Sequence, residues 1–531
     1  MDRDRRTLRT LRLGRAAAVA VPVAFLAIFF GWPLLAIFER SLVVDGALDV
    51  PLDVLTRSST LEVAWFTLWQ ATVSTALTLV AALPLAWALG RFSFRGRGVV
   101  EALVLVPFVL PTVVVATAFL ALLPDGLERN VWAILLAHVF FNVAVVVRVV
   151  GAYWAGLDRR LDEAAATLGA SPAQRHLRLT APLLAPAVAS AASIVFLFCF
   201  TSFGVIVVLG GIRYATLEVE IYNQAARLFD LRAAAALALL QLAAVAATVL
   251  VSGRLERRLG GGALRGTPPP HPNGRERPAV ALAVGGSLAL LALPPLALVV
   301  RSFRVGDGYG LDHYGSLLNE TPALLVVPWH AIANSLLFAA GATVIALVVG
   351  IPAATAVARG RGGLDALVML PLGASAAMLG FGFLLAFDAP PLDLRSSAAI
   401  VPVAQALVAI PFVVRSLVPA LRTVGARLGE AAAVLGASPW QVRREIELPL
   451  LARPLAVAAG LAFAVALGEF GATVFVSRAD WPTVPVAIFR FLGRPGADNV
   501  GTAMALSVTL MAVVATVALL SDRSIVRGRA R

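Results

Sequence analysis

Long apolar stretches alternate with short polar ones along the whole chain. Twelve runs approach the roughly 20 residues that a helix needs to cross a bilayer: 16–38, 64–89, 99–123, 131–150, 186–209, 233–252, 279–300, 331–357, 364–387, 397–418, 455–476 and 499–520. A segment in lipid must satisfy its backbone hydrogen bonds internally, so runs of this length with few charges are predicted to be helices. The first run follows an arginine-rich tail, Met1–Arg15, as the core of a secretory signal would. It is too long for such a core and reads as a retained span. The stretch GRLERRLGGGALRGTPPPHPNGRERP, residues 253–278, has no apolar periodicity and is rich in Gly, Pro and Arg, which marks a flexible linker.

Six runs lie on each side of that linker, and the two sides repeat each other. Glu163 and Glu430 are 267 residues apart, as are Gly169 and Gly436, Pro182 and Pro449, Arg148 and Arg415, and Phe203-Gly204 and Phe470-Gly471. LPLAWALGR (83–91) aligns with IPAATAVAR (351–359) at an offset of 268. Between 163–184 and 430–451, 13 of 22 positions are identical without a gap. An even number of spans per repeat leaves both halves the same way up. The predicted architecture is an all-α integral membrane protein of about twelve transmembrane helices, built as two parallel six-helix repeats with pseudo-two-fold symmetry. Its parts are an N-terminal half (1–252), the linker (253–278) and a C-terminal half (279–531).

Composition agrees with that reading: 59% of the 531 residues are hydrophobic and 14% charged, against about one quarter charged in soluble domains. Mean hydropathy is +0.86. The net charge of +13 does not indicate nucleic acid, because the arginines occupy short segments between apolar runs. With the N-terminus inside, 32 of the 44 arginines fall on the cytoplasmic face, while Asp125, Glu128, Asp307, Asp312, Asp388 and Asp480 fall on the other. Positive charge marks the cytoplasmic side, so the chain is expected to cross the plasma membrane many times with both termini cytoplasmic. Cys199 is the single cysteine and lies in an apolar run, which excludes an internal disulfide. The chain has no lysine and so no phosphate-binding P-loop. His138, His176, His271, His313 and His330 show no ligand spacing, and no catalytic constellation stands out. Neither a metal site nor an enzymatic activity is expected.

The repeated phrase DEAAATLGASP (162–172) and GEAAAVLGASP (429–439) falls on the expected cytoplasmic side. Glu-Ala-Ala-Ala starts a helix well, with the acid near the positive end of the helix dipole. Gly169 and Gly436 permit a sharp C-terminal cap. Ser171 and Ser438 then suit an N-cap, with Pro172 and Pro439 at the first helical position. Two short helices at an angle, lying on the surface ahead of the next span, are predicted in each half.

With Glu163, Ala164, Ala165, Gly169 and Pro182 in one copy and Glu430, Ala431, Ala432, Gly436, Ile446 and Pro449 in the other, the chain resembles the permeases of binding-protein-dependent ABC importers. Their cytoplasmic loop reads EAA-x3-G-x9-I-x-L-P. The second copy matches in full; the first has Leu179 and Ala181 where that pattern has Ile and Leu. The resemblance spans the chain and is to the fused two-half subgroup, which includes thiamine and ferric-iron importers. ILLAHVFFN (134–142), FLFCFTSFGVIVVLGG (196–211) and TLEVEIYNQA (216–225) look like the thiamine type. It implies a bacterial inner-membrane subunit that forms the path for a small solute, thiamine first and ferric iron as the alternative. It implies no cofactor in this chain and ATP with magnesium on a separate ATPase, two copies of which meet the loops at 158–182 and 425–449. An extracytoplasmic solute-binding protein would meet 210–232 and 477–498. A secondary transporter driven by an ion gradient is the rival reading from another class.

Polar groups inside spans are costly and become candidates for the path. Glu469, beside Phe470, is the acid placed deepest; its counterpart in the other repeat is Ser202, beside Phe203. His138 and Asn142 are candidates too, against the commoner role of such groups as hydrogen-bond partners between helices.

Overall fold

The computed structural model describes residues 19–124, 126–211, 213–259, 269–390 and 392–526, without the side chains of 255–259, 424–430, 433, 439, 443 and 518–526. Among the described residues, ten helices are long and apolar enough to cross a membrane, and two bent helix pairs raise the number to twelve if each pair is one span. The chain is all-α, as expected. Among the described residues, strand structure is confined to two hairpins, Val43–Val44 with Ala47–Leu48 and Arg304–Val305 with Gly308–Tyr309. Each follows the first span of a repeat. Asp45 and Gly46 take φ values of 50° and 79°, the left-handed pair that a tight two-residue hairpin turn requires.

Two of the predicted spans are sharply bent. Run 99–123 is the pair Arg97–Val109 and Thr112–Leu122, meeting at 103°, and run 364–387 is Gly362–Gly373 and Ala376–Ala386, meeting at 94°. The first bend falls on Leu110, extended with ψ 137°, the conformation that a following proline, here Pro111, imposes. The second falls on Ala374, also extended. There the Ser375 hydroxyl accepts from the Met378 N–H at 3.0 Å and starts a new helix. Runs 186–209 and 455–476 are shifted as well. The helices Pro172–Phe200 and Arg444–Gly468 begin before those runs and stop before their ends. Short helices, Gly204–Leu209 and Thr473–Val476, follow after a break.

The chain forms two compact units that do not follow the halves of the repeat. One contains the described parts of Met1–Pro51, Ile221–Ala236 and Leu311–Arg531; the other contains the described parts of Leu52–Glu220 and Leu237–Gly310. In the first unit the first span lies against second-half helices, with the Phe29 and Trp32 rings 5.6 and 6.0 Å from Phe387. In the second, the seventh span, Arg277–Ser302, brings Val280 against Ala88 and Phe92.

Apolar burial gives little drive between helices already in lipid, so close packing and interhelical hydrogen bonds matter most there. In the second unit, helix Ser58–Arg91 buries Thr67, Gln70, Ser74, Thr78, Leu85 and Leu89, a stripe at helical spacing. It lies along Val131–Ala155. A Cβ on Gly90 would sit 2.7 Å from the Trp154 Cβ, so only glycine allows this approach. Matching bonds hold the segment after each break. The Leu217 N–H donates to Thr67 Oγ1 at 3.0 Å in one unit, and the Val484 N–H donates to Ser335 Oγ at 2.7 Å in the other.

Candidate functional site

The duplicated phrase folds the same way twice, as a knuckle. In the first copy, Asp158 caps helix Arg159–Thr167 by accepting from the Arg160 N–H at 3.0 Å. The carbonyls of Ala164 and Ala165 then close the helix, accepting from the N–H groups of Leu168 (3.1 Å) and Ala170 (3.0 Å). That closure requires a left-handed residue, which Gly169 supplies with φ +84°. Ser171 Oγ next accepts from the Gln174 N–H at 3.3 Å, and Gln174 Oε1 accepts from the Ser171 N–H at 2.9 Å. This reciprocal capping box starts the next helix with Pro172 at its first position.

The second copy repeats the closure and the capping box at an offset of 267. Ala431 and Ala432 accept from Leu435 (3.2 Å) and Ala437 (3.0 Å), and Gly436 has φ +88°. Ser438 and Gln441 exchange bonds at 3.3 and 2.8 Å. Glu163 is exposed. Glu430 lies in its helix, but its side chain falls outside the described residues.

The expectation of two separate short helices needs correction. After each capping box the chain passes through a wider turn, His176–Thr180 or Val442–Glu447, directly into the next span. Pro182 and Pro449 therefore sit near the start of helices Ala181–Phe200 and Leu448–Gly468, and Ile446 sits in the second wide turn. The wide turn accommodates the prolines, whose missing N–H cannot extend a regular ladder.

Each knuckle presents an apolar tip. Leu168 is 87% exposed, and its counterpart Leu435 is 88% exposed. Leu177 in the first knuckle, and Val434 and Trp440 in the second, are exposed too. Exposed apolar clusters of this kind mark interaction surfaces.

Around the first knuckle, Asp162 pairs with Arg91 at 2.6 Å and with Arg175 at 3.0 Å. Arg159 donates to the Arg91 carbonyl at 2.6 Å. Burial, with the Arg91 charge nearby, pulls the Arg159 guanidinium below its usual range, against the carboxylates of Glu163, Glu276 and Asp162. The spacing of these residues along the chain does not announce the cluster; the packing of the helices creates it.

The path candidates lie elsewhere. His138 bridges Ser74 (3.0 Å) and Ser202 (2.9 Å), and Asn142 donates to the His138 carbonyl (3.0 Å) and to Cys199 Sγ (3.5 Å). These groups tie helices together. The Glu469 carboxylate folds onto its own chain, accepting from the N–H groups of Ala472 (2.7 Å) and Thr473 (2.9 Å) and from the Thr473 hydroxyl. Phe203 is buried, and Phe470 meets Phe489 edge-to-face with centroids 5.5 Å apart. Phe489 in turn meets Tyr222 at 6.0 Å, and Tyr222 meets Phe475 at 5.5 Å. Sequence reasoning missed Tyr222 and Phe489. The available signal was their offset of 267, the same as for the knuckles.

Residues 82–261, which hold the first knuckle and its ion pairs, match the family of binding-protein-dependent transport system inner membrane components. The chain is also 30% identical over 461 residues to the thiamine transport system permease protein of Salmonella typhimurium strain LT2, covering 81% of this chain and 83% of that protein. The chain belongs to this family of transport permeases. The corresponding thiamine permeases of Escherichia coli K12 and Brucella abortus strain 2308 are each 28% identical to it. They cover 87% and 98% of this chain, and 91% and 97% of their own lengths. The permease thus shares its two-half length with these relatives.

Proposed function

We propose that this permease is the membrane subunit of an ABC importer for thiamine. The observation that carries the reading is the pair of knuckles, alike in their glycine closure and capping box, each with a leucine tip almost fully exposed at the same position of the repeat. One chain with two identical docking tips suits two copies of one partner. That partner is the ATPase, which binds and hydrolyses ATP with magnesium, while the permease itself carries out no chemical reaction. Arginine asymmetry supports placing both knuckles and both termini in the cytoplasm. The solute is taken from the relatives, whose names specify thiamine over most of their length. A solute-binding protein delivers it from the other face.

Tyr222 and Phe489 are the groups that close the path in this reading. They are counterparts in the repeat, and their rings touch. His138, Asn142 and Ser202 tie segments of the other unit together, and Glu469 shapes the backbone beside Phe470. The test is uptake of radiolabelled thiamine into proteoliposomes holding permease, ATPase and binding protein. Uptake that requires all three with ATP supports the reading. Uptake driven by an ion gradient without the ATPase, or uptake of ferric iron but not thiamine, contradicts it.

A further inference from the structure

The two knuckles share an outer form but differ in how they join the spans. Helix Val131–Ala155 ends at Gly156, and the chain turns through Leu157 before Asp158 caps the first knuckle's helix. In the second copy the preceding span and the knuckle are one helix, Ile400–Val434. The counterparts of Gly156 and the capping Asp158 are Thr423 and Gly425. The first knuckle is therefore a hinged piece and the second the tip of a continuous rod.

The hinged piece is held by ion pairs that the other copy cannot form. Asp162 bonds to Arg91 at the end of helix Ser58–Arg91 and to Arg175 just past the capping box. Arg159 adds its bond to the Arg91 carbonyl. The counterparts of Asp162 and Arg175 are Gly429 and Val442, which carry no charge. Arg91 has a charged counterpart, Arg359, but that side chain is exposed, whereas Arg91 is half-buried.

We propose that Asp162 is a latch that transmits movement of the first knuckle to helix Ser58–Arg91, whereas the second knuckle transmits movement through helix continuity. A hinge without a latch would let the first knuckle tilt while its spans stay still. The latch makes the linkage stiff and places the pull on a different helix from the one pulled in the second copy. Asp162, Arg91 and Arg175 are positioning residues; none of them needs to touch solute or ATP. The proposal rests on the reading of the knuckles as ATPase docking sites.

The test uses the full complex in proteoliposomes, with solute uptake and ATP hydrolysis measured together. In Asp162→Asn, uptake per ATP is expected to fall about three-fold, the scale of a partly exposed ion pair, and Asp162→Glu should restore most of it. Arg91→Gln should lower the ratio, whereas Arg359→Gln should not. A spin label at position 168 or 435, in permease alone, gives a reading independent of transport. Asp162→Asn should raise mobility at 168 and leave 435 unchanged. Arg175→Gln, which removes one of the two pairs, serves if Asp162→Asn does not accumulate, and should give an intermediate change. An unchanged ratio with unchanged mobility at 168 overturns the latch. Loss of ATP-driven uptake already in the unaltered complex overturns the functional reading instead, and the spin-label result still decides the latch.

Discussion

Tyr222 meets Phe489 nearly edge-on, with ring centroids 6.0 Å apart and planes at 78°. The two rings occupy one position of a 267-residue repeat, so a chain duplicated end to end has brought two copies of a single site into contact. Aromatic edge-to-face pairs contribute about 0.5–1.5 kcal/mol beyond their buried area. Removing both rings with Tyr222→Ala and Phe489→Ala is expected to shift a closed path toward an open one by up to about ten-fold. Passive solute efflux from loaded proteoliposomes reads this directly. A tight double variant would place the closure elsewhere.

The tips should carry the ATPase contact. Burying a leucine side chain contributes about 1.5–3 kcal/mol, so Leu168→Asp or Leu435→Asp is expected to weaken ATPase binding by at least about ten-fold. The double variant should lose co-purification altogether while still inserting in the membrane. Reversing the charge at Glu163 and Glu430 together should leave insertion intact and uncouple hydrolysis from uptake. Recovery of the ATPase with the double tip variant at the level of the unaltered permease would contradict the docking assignment.

Gly169 and Gly436 hold left-handed backbone that costs other residues about 1–2 kcal/mol. Gly169→Ala and Gly436→Ala should each lower the affinity for the ATPase, because the strain is relieved only by unwinding the closure on Ala165 or Ala432. Asparagine at the same positions should be milder, since its side chain tolerates this conformation. Titration of ATPase onto immobilised permease separates these outcomes.

His138 makes one bond to Ser74 on helix Ser58–Arg91 and one to Ser202 in the break after helix Ala181–Phe200. Interhelical bonds within membranes contribute about 0.6 kcal/mol on average and up to about 1.7, so His138→Ala should destabilise by about 1–2 kcal/mol. The expected result is a lower unfolding temperature in detergent with the apparent KM for solute unchanged. A large change in KM without loss of stability would move His138 into the path.

Much of this architecture is legible in the chain because lipid enforces length. Twelve apolar runs could be marked, and the Glu, Gly, Ser and Pro of each knuckle sit where caps and turns require them. The sharp bends were not legible: hydropathy is the same for a straight span and for two half-helices joined at Leu110–Pro111 or Ala374–Ser375. Proline gave a usable hint at the first bend, but other prolines, such as Pro84 and Pro352, sit inside unbroken helices. Glu469 looked like a lone acid in a span. Its role as a cap for the helix Thr473–Val476 depends on a break that composition does not announce. Asp162 bonds to a residue 71 positions away, and the packing of helix Ser58–Arg91 along Val131–Ala155, close at Gly90 and Trp154, brings those helix ends together. Repeat arithmetic reaches further than periodicity here, since the offset of 267 alone pairs Leu168 with Leu435 and Tyr222 with Phe489.

The most direct test of the central claim is the stoichiometry of the purified complex together with its uptake. Permease, ATPase and binding protein are reconstituted, the number of ATPase chains per permease is counted by native mass spectrometry, and thiamine uptake is followed with and without ATP. The expected result is two ATPase chains per permease, reduced to one by a single tip variant, with thiamine uptake only when ATP is supplied. A complex with one ATPase chain, or thiamine uptake that proceeds without ATP, would contradict it.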